Sequence, residues 1–118
     1  MEQRTGISDF DLVARLQIST PNLLKAFNDF QGRIMSPGTL DIKTKELIAL
    51  AVAHVTGSQS GIIKHTLEAN KAGANEIELL EAIFTASAVY ARAIIDRSAA
   101  IFEALNSSEA EELSFGPG

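Results

Sequence analysis

The chain contains no cysteine at any of its 118 positions. That removes disulfides, thiolate metal sites, peroxidatic thiols and thioester chemistry together, and it leaves the redox compartment unmarked. Tryptophan is also absent, and there is a single tyrosine. A basic stripe is missing too: 15 acidic residues outweigh 10 basic ones for a net charge of −5. Scattered Lys and Arg on an acidic chain do not build the electropositive face that a phosphate backbone requires, so nucleic acid is not an expected partner. The longest apolar stretches, Leu47 to Val55 and Ala86 to Ala93, are too short to span a bilayer. The opening MEQRTGISDF has no charged-then-apolar export pattern. A cytoplasmic protein without membrane attachment is the expectation. No Gly-x-Gly-x-x-Gly loop and no alternating strand pattern occurs.

Hydrophobic residues make up 46% of the sequence, enough for an ordinary core in one domain without metal or disulfide. Punctuation divides it into helices. Ser8 to Gln17 reads as a short first helix. Thr20-Pro21 starts a second, with the Thr hydroxyl expected to cap the first turn and Pro losing no needed N–H. Leu23, Phe27, Phe30 and Ile34 then share a stripe, and Ser36-Pro37-Gly38 ends the helix. Asp41 caps a third helix that stops at Gly57, Ser58 caps a fourth that ends at Ala72-Gly73, and Asn75 with Glu78 forms a capping box for a fifth.

From Ile77 to Leu105 apolar residues lie almost all round the axis, with a break near Ser87 or Tyr90 conceivable but not placed. A helix apolar on every side is buried on every side, which implies a central position or an oligomer interface, preferentially the latter. The glutamate-rich stretch 107–118, closing on Gly-Pro-Gly, reads as a flexible acidic tail to a single domain over 1–106. The fold class is therefore all-α, a compact bundle of about five to six helices.

Chemistry concentrates between Lys45 and His65. A helix advances about 100° per residue, so Glu46, Leu50, Ala53 and His54 share a face. Ser58, Gly61 and His65 line one face of the next helix, whose N-terminus favours bound anions or developing negative charge. Glu46, His54, His65 and Glu68 have the donor types for zinc or iron, but His-x-x-Glu spacing is common by chance, and no metal is expected. A Ser-His-Glu hydrolase lacks its nucleophile elbow here. Arg92 and Asp96, at i and i+4, read as a surface ion pair, with Arg92 or Arg97 facing a pocket as the weaker reading.

The run Lys45-Glu46-Leu-Ile-Ala-Leu-Ala-Val-Ala-His54-Val-Thr-Gly57, then Ile62-Ile-Lys-His65-Thr, then Lys71-Ala-Gly73-Ala74, resembles the carboxymuconolactone decarboxylase family, and more closely its alkylhydroperoxidase (AhpD)-like branch. The resemblance covers roughly residues 20 to 105. It implies an AhpD-like helical fold and assembly into a homo-oligomer, a trimer or hexamer. The redox branch carries Thr-Gly-Cys-x-x-Cys-x-x-x-His with an upstream Glu. Carried over, Glu46 and His65 fall on its proton relay, Ser58 and Gly61 on the two cysteine positions, and Ser60 where a Tyr is often found. A serine hydroxyl forms no disulfide, so a thiol peroxidase cycle is not expected unless the cysteines were engineered away.

The resemblance leaves a cofactor-free acid–base enzyme of lyase type, acting on a small carboxylated substrate. Glu46 and His65 are its candidate catalytic pair, and Ser58, Ser60, Gly61 and His54 its candidate binding residues. The alternative is a catalytically inactive ligand-binding or scaffold homologue.

Overall fold

The computed structural model describes residues 6–115, with side chains described to residue 108. Six α-helices follow one another, α1 (Asp9–Ser19), α2 (Pro21–Met35), α3 (Ile42–Thr56), α4 (Gln59–Lys71), α5 (Glu76–Arg97) and α6 (Ala99–Phe115). No strand occurs among the described residues, and the fold is all-α as the periodicity predicts.

Local capping sets the boundaries. Ser8 accepts from the Asp11 N–H and Asp41 from the Thr44 N–H, the latter at 2.8 Å. The Thr44 hydrogen bonds hold the Asp41 carboxyl below the usual carboxylate range. Asn75 and Glu78 form the reciprocal capping box, and the Lys43 ammonium paired with Glu78 is the chief cause of that carboxyl's lowered pKa. The Lys43–Glu78 pair also ties the start of α3 to the start of α5.

Gly57, at φ +74°, closes α3, and the Ser58 N–H returns to the Ala53 carbonyl. Gly73, at φ +104°, closes α4 the same way, with the Ala74 N–H on the Ala69 carbonyl. These two turns fold α4 back along α3 and then return α5 to pack against α3. The core sits there, in Leu50, Ala53, Ala69 and Ala74.

Three boundaries differ from expectation. The Thr20 hydroxyl makes no cap for α2; it donates to the Leu16 carbonyl at 3.0 Å and finishes α1 instead. With Pro21 contributing no N–H, the first turn of α2 has one fewer donor to satisfy, and the hydroxyl goes to an orphan carbonyl. The break in the long apolar run falls at Ser98, where the backbone N–H and the hydroxyl both donate to the Ile95 carbonyl. Ser87 meanwhile donates to the Ile83 carbonyl inside an unbroken α5. The backbone also stays helical to Phe115, past the boundary expected at residue 107, in keeping with the strong helix formers Ala110, Glu111, Glu112 and Leu113.

The apolar faces of the outer helices are uncovered. Phe84 on α5 is 73% exposed, and the stripe of α2 (Leu23, Phe27, Phe30, Ile34) is exposed along its length. The central position considered for the fifth helix is thus not where it lies within one chain, because no residue of α5 is buried.

Candidate active site

Glu46 stands one turn into α3 with Leu50 and Ala53 below it, and it is 7% exposed. Among the described residues it is the one buried charged side chain. Burial of a carboxylate demands a partner. That partner is His65, nearly two turns into α4, whose Nδ1 lies 2.7 Å from Glu46 Oε1. The turn closed by Gly57 creates this meeting by folding α4 onto the face of α3 that carries Glu46. With the carboxylate accepting from Nδ1–H, Nε2 is the ring nitrogen left for a ligand.

A groove of about 1040 Å³ opens over this pair, between α2, α3 and the first turns of α4. Glu46, His65, Ser58 and Gly61 form part of its lining, and Phe30, Ile34, Ile48 and Val52 give it apolar walls. Ser58 caps α4 by accepting the Gly61 N–H at 3.1 Å. The N–H groups of Gln59 and Ser60 then remain as first-turn donors, since no intrahelical acceptor reaches them.

Gly61 is required by packing. A Cβ there would lie 2.8 Å from Ser58 Oγ and 3.2 Å from the Ala53 Cβ. The hydroxyl can turn away, but only by giving up the cap, and Ala53 is fixed by the core. In an open helix Gly→Ala gains about 1 kcal/mol. Gly61→Ala is expected to forfeit that gain and leave the melting temperature equal or lower, with Gly61→Val distinctly lower. A melting temperature raised by Gly61→Ala would show that the contact is not limiting.

The other candidate residues are placed elsewhere. His54 is exposed, turns its Nδ1–H to the Leu50 carbonyl at 2.9 Å, and is not part of the groove lining. Ser60 is exposed and also off the lining. Among the described residues no three His, Asp or Glu side chains gather as a metal would need, so the Glu46, His54, His65 and Glu68 set is not assembled. Arg92 pairs with Asp96 at 2.9 Å on the surface of α5, and neither Arg92 nor Arg97 lines the groove.

Three residues that pattern reasoning passed over do matter. Lys45 donates to the Ile34 and Ser36 carbonyls, both at 2.7 Å, and so fastens the end of α2 beside α3. Arg33, from α2, and Lys64, from α4, both line the groove. No one-dimensional signal marks them, because their common location depends on how α2 and α4 flank α3.

The sequence model of the Carboxymuconolactone decarboxylase family matches residues 21–104. The chain belongs to that family. The matched segment contains α2 to α5 and the whole Glu46–His65 site. A protein of Paracoccus denitrificans described as "Uncharacterized protein 4 in cox locus" is 42% identical over 60 residues, covering 51% of this chain and 54% of that protein. The aligned region thus spans about half the length of that curated relative.

Proposed function

We propose that this carboxymuconolactone decarboxylase family protein is a cofactor-free acid–base enzyme of lyase type acting on a small carboxylated substrate. The observation that carries the reading is the buried Glu46–His65 hydrogen bond on the floor of an open groove. A decarboxylation needs few parts. The C–C bond to the carboxylate breaks, CO₂ departs, and its electron pair enters an enolate-like system that must be stabilised and then protonated at carbon. The imidazolium of His65, paired with Glu46, would deliver that proton from Nε2. The positive end of the α4 dipole, whose first turn meets the groove at Ser58 and Gly61, would favour the negative charge on the enolate. Thiol peroxidase chemistry has no group to run on, since the chain holds no cysteine. The Paracoccus relative's description names a locus and no activity, so it does not choose among substrates.

The test is turnover of carboxylated lactones, with CO₂ release as the readout. His65→Ala is expected to lose about 10²–10⁴-fold in kcat/KM, the usual contribution of a positioned proton donor. Unchanged turnover in His65→Ala would end the assignment.

Assembly is part of the proposal, as a homo-oligomer of trimer or hexamer type. The chain exposes 9464 Å², where a folded monomer of 12.6 kDa exposes about 6,200 Å². The excess, roughly 3,300 Å², is of the size that obligate interfaces bury. The radius of gyration, 21.6 Å, likewise exceeds the roughly 13.5 Å of a compact chain of this length. Light scattering at micromolar concentration is expected to give a mass at least three times that of the chain, and a monomer would contradict this. Should the oligomer form while no carboxylate is turned over, the alternative of a ligand-binding or scaffold homologue takes precedence, supported by the same uncovered faces of α2, α5 and α6.

A further inference from the structure

Two cations beside the groove are left over when the local pairings are followed through. Arg33 lies in the last turn of α2, where a cation would ordinarily serve the helix C-terminus. That end is already served: Lys45 takes the Ile34 and Ser36 carbonyls and the Ser36 hydroxyl takes Gly32. Lys64 lies one helical turn before Glu68, its natural i+4 partner, but Glu68 is turned to Lys71. Among the described residues neither Arg33 nor Lys64 meets a carboxylate, and both line the groove that holds Glu46 and His65.

Between these cations the walls are exposed hydrocarbon and aromatic surface, chiefly Phe30, Ile34, Ile48 and Val52. The groove, at about 1040 Å³, is also larger than a single small ring would fill, and lies at the upper end of ordinary ligand sites. Cations at the mouth, an apolar trough and an acid–base pair on the floor select one ligand chemistry.

We propose that Arg33 and Lys64 anchor the carboxylate of an organic acid whose apolar body, an aryl or medium-length alkyl group, lies along the Phe30–Ile34–Val52 wall. This rests on the reading of the groove as the substrate site and names its substrate class and specificity residues. Arg33 offers a fork of N–H donors to the carboxylate, and Lys64 a second charge from α4. The apolar contacts separate such an acid from inorganic anions, and the cations separate it from neutral lipids or alcohols.

The experiment is calorimetric titration of the full chain with decanoate, with decanol as the uncharged match and inorganic phosphate as the anion lacking a body. Decanoate is expected to bind at least about 10-fold more tightly than either control, and Arg33→Gln and Lys64→Gln each to weaken it by roughly 10-fold, as loss of one charge-assisted contact does. Arg92→Gln, on the far surface of α5, should leave it unchanged. Both anchor residues are exposed, and their variants should melt with the wild type when unliganded.

Equal binding of decanol, no decanoate binding, or wild-type affinity in both anchor variants would each overturn the proposal. His65→Ala separates it from the catalytic reading. If the anchor variants lose decanoate affinity but His65→Ala keeps full lactone turnover, the anchor stands and the chemistry falls. If turnover depends on His65 while the anchor variants bind decanoate normally, the anchor alone falls.

Discussion

Removing either member of the Glu46–His65 pair is expected to lower stability sharply, and removing both is expected to restore much of it. Glu46 is 7% exposed, with its Oε1 held by His65 Nδ1 at 2.7 Å. His65→Leu leaves that carboxylate desolvated and without its partner. A buried polar group so abandoned costs about 2–3 kcal/mol, and a charged one tends to the upper end. Glu46→Leu leaves an imidazole that is only 19% exposed facing hydrocarbon, and is expected to cost less, because His65 can turn its ring toward the groove. In the double variant Glu46→Leu/His65→Leu no polar group is stranded, and buried pairs replaced by apolar side chains of similar volume are often neutral.

A double-mutant cycle in urea should therefore show strong coupling, with the double variant more stable than His65→Leu alone. Additive losses would mean that water already serves Glu46 in place of His65. The cycle also bears on function. A pair that weakens the fold when broken but is unneeded for packing when replaced has a reason to persist beyond stability.

What could be read from the sequence is what depends on neighbours in the chain. Asp41, Ser58 and the Asn75–Glu78 box cap their helices as their residue types dictate, and Gly57 takes the left-handed conformation that a helix stop needs. Thr20 departs from the expected cap of α2 for a physical reason: one hydroxyl sits between two helix ends and can serve only one, and it serves the Leu16 carbonyl. Ser87, among apolar residues, bonds back within its helix, while Ser98, after Asp96 and Arg97, ends it. Intrinsic propensity does not separate those outcomes; the turn following Ser98 does, with the Ile101 N–H on the Ser98 carbonyl.

The site divides the same way. Glu46 and His65 stand out through the order of the motif, and their meeting follows from the turn at Gly57, which is itself visible in the sequence. Arg33 and Lys64 do not, since 31 positions separate them and only the placement of α2 against α3 brings them to one groove. His54 erred in the opposite sense. It shares a nominal face with Glu46, but near the end of α3 its ring bonds to its own helix at Leu50 and is spent locally.

The second large effect belongs to Leu50. Among the described residues the buried hydrophobic ones are Leu50, Ala53, Ala69 and Ala74, so Leu50 is the one large side chain in that set and is 2% exposed. Its truncation empties a site that is closed to solvent. Leu50→Ala is therefore expected to cost about 3–5 kcal/mol, in the upper range for such truncations, where collapse around the cavity is poor. Ile48→Ala, on the exposed side of the same helix and a wall of the groove, should cost under about 1 kcal/mol.

Chemical denaturation of the assembled protein, with protein concentration held fixed because subunit association adds to apparent stability, gives both values. The position of Leu50 makes the result informative about the site as well. It lies one turn from Glu46 on the same face of α3, so a cavity there loosens the floor on which the Glu46–His65 bond rests. Leu50→Met, which fills most of the volume, is expected to retain stability within about 1.5 kcal/mol. A cost for Leu50→Ala no greater than that for Ile48→Ala would mean that the α3–α4–α5 centre is not the part of the molecule that holds the fold together, and that the subunit contacts of the outer helices are.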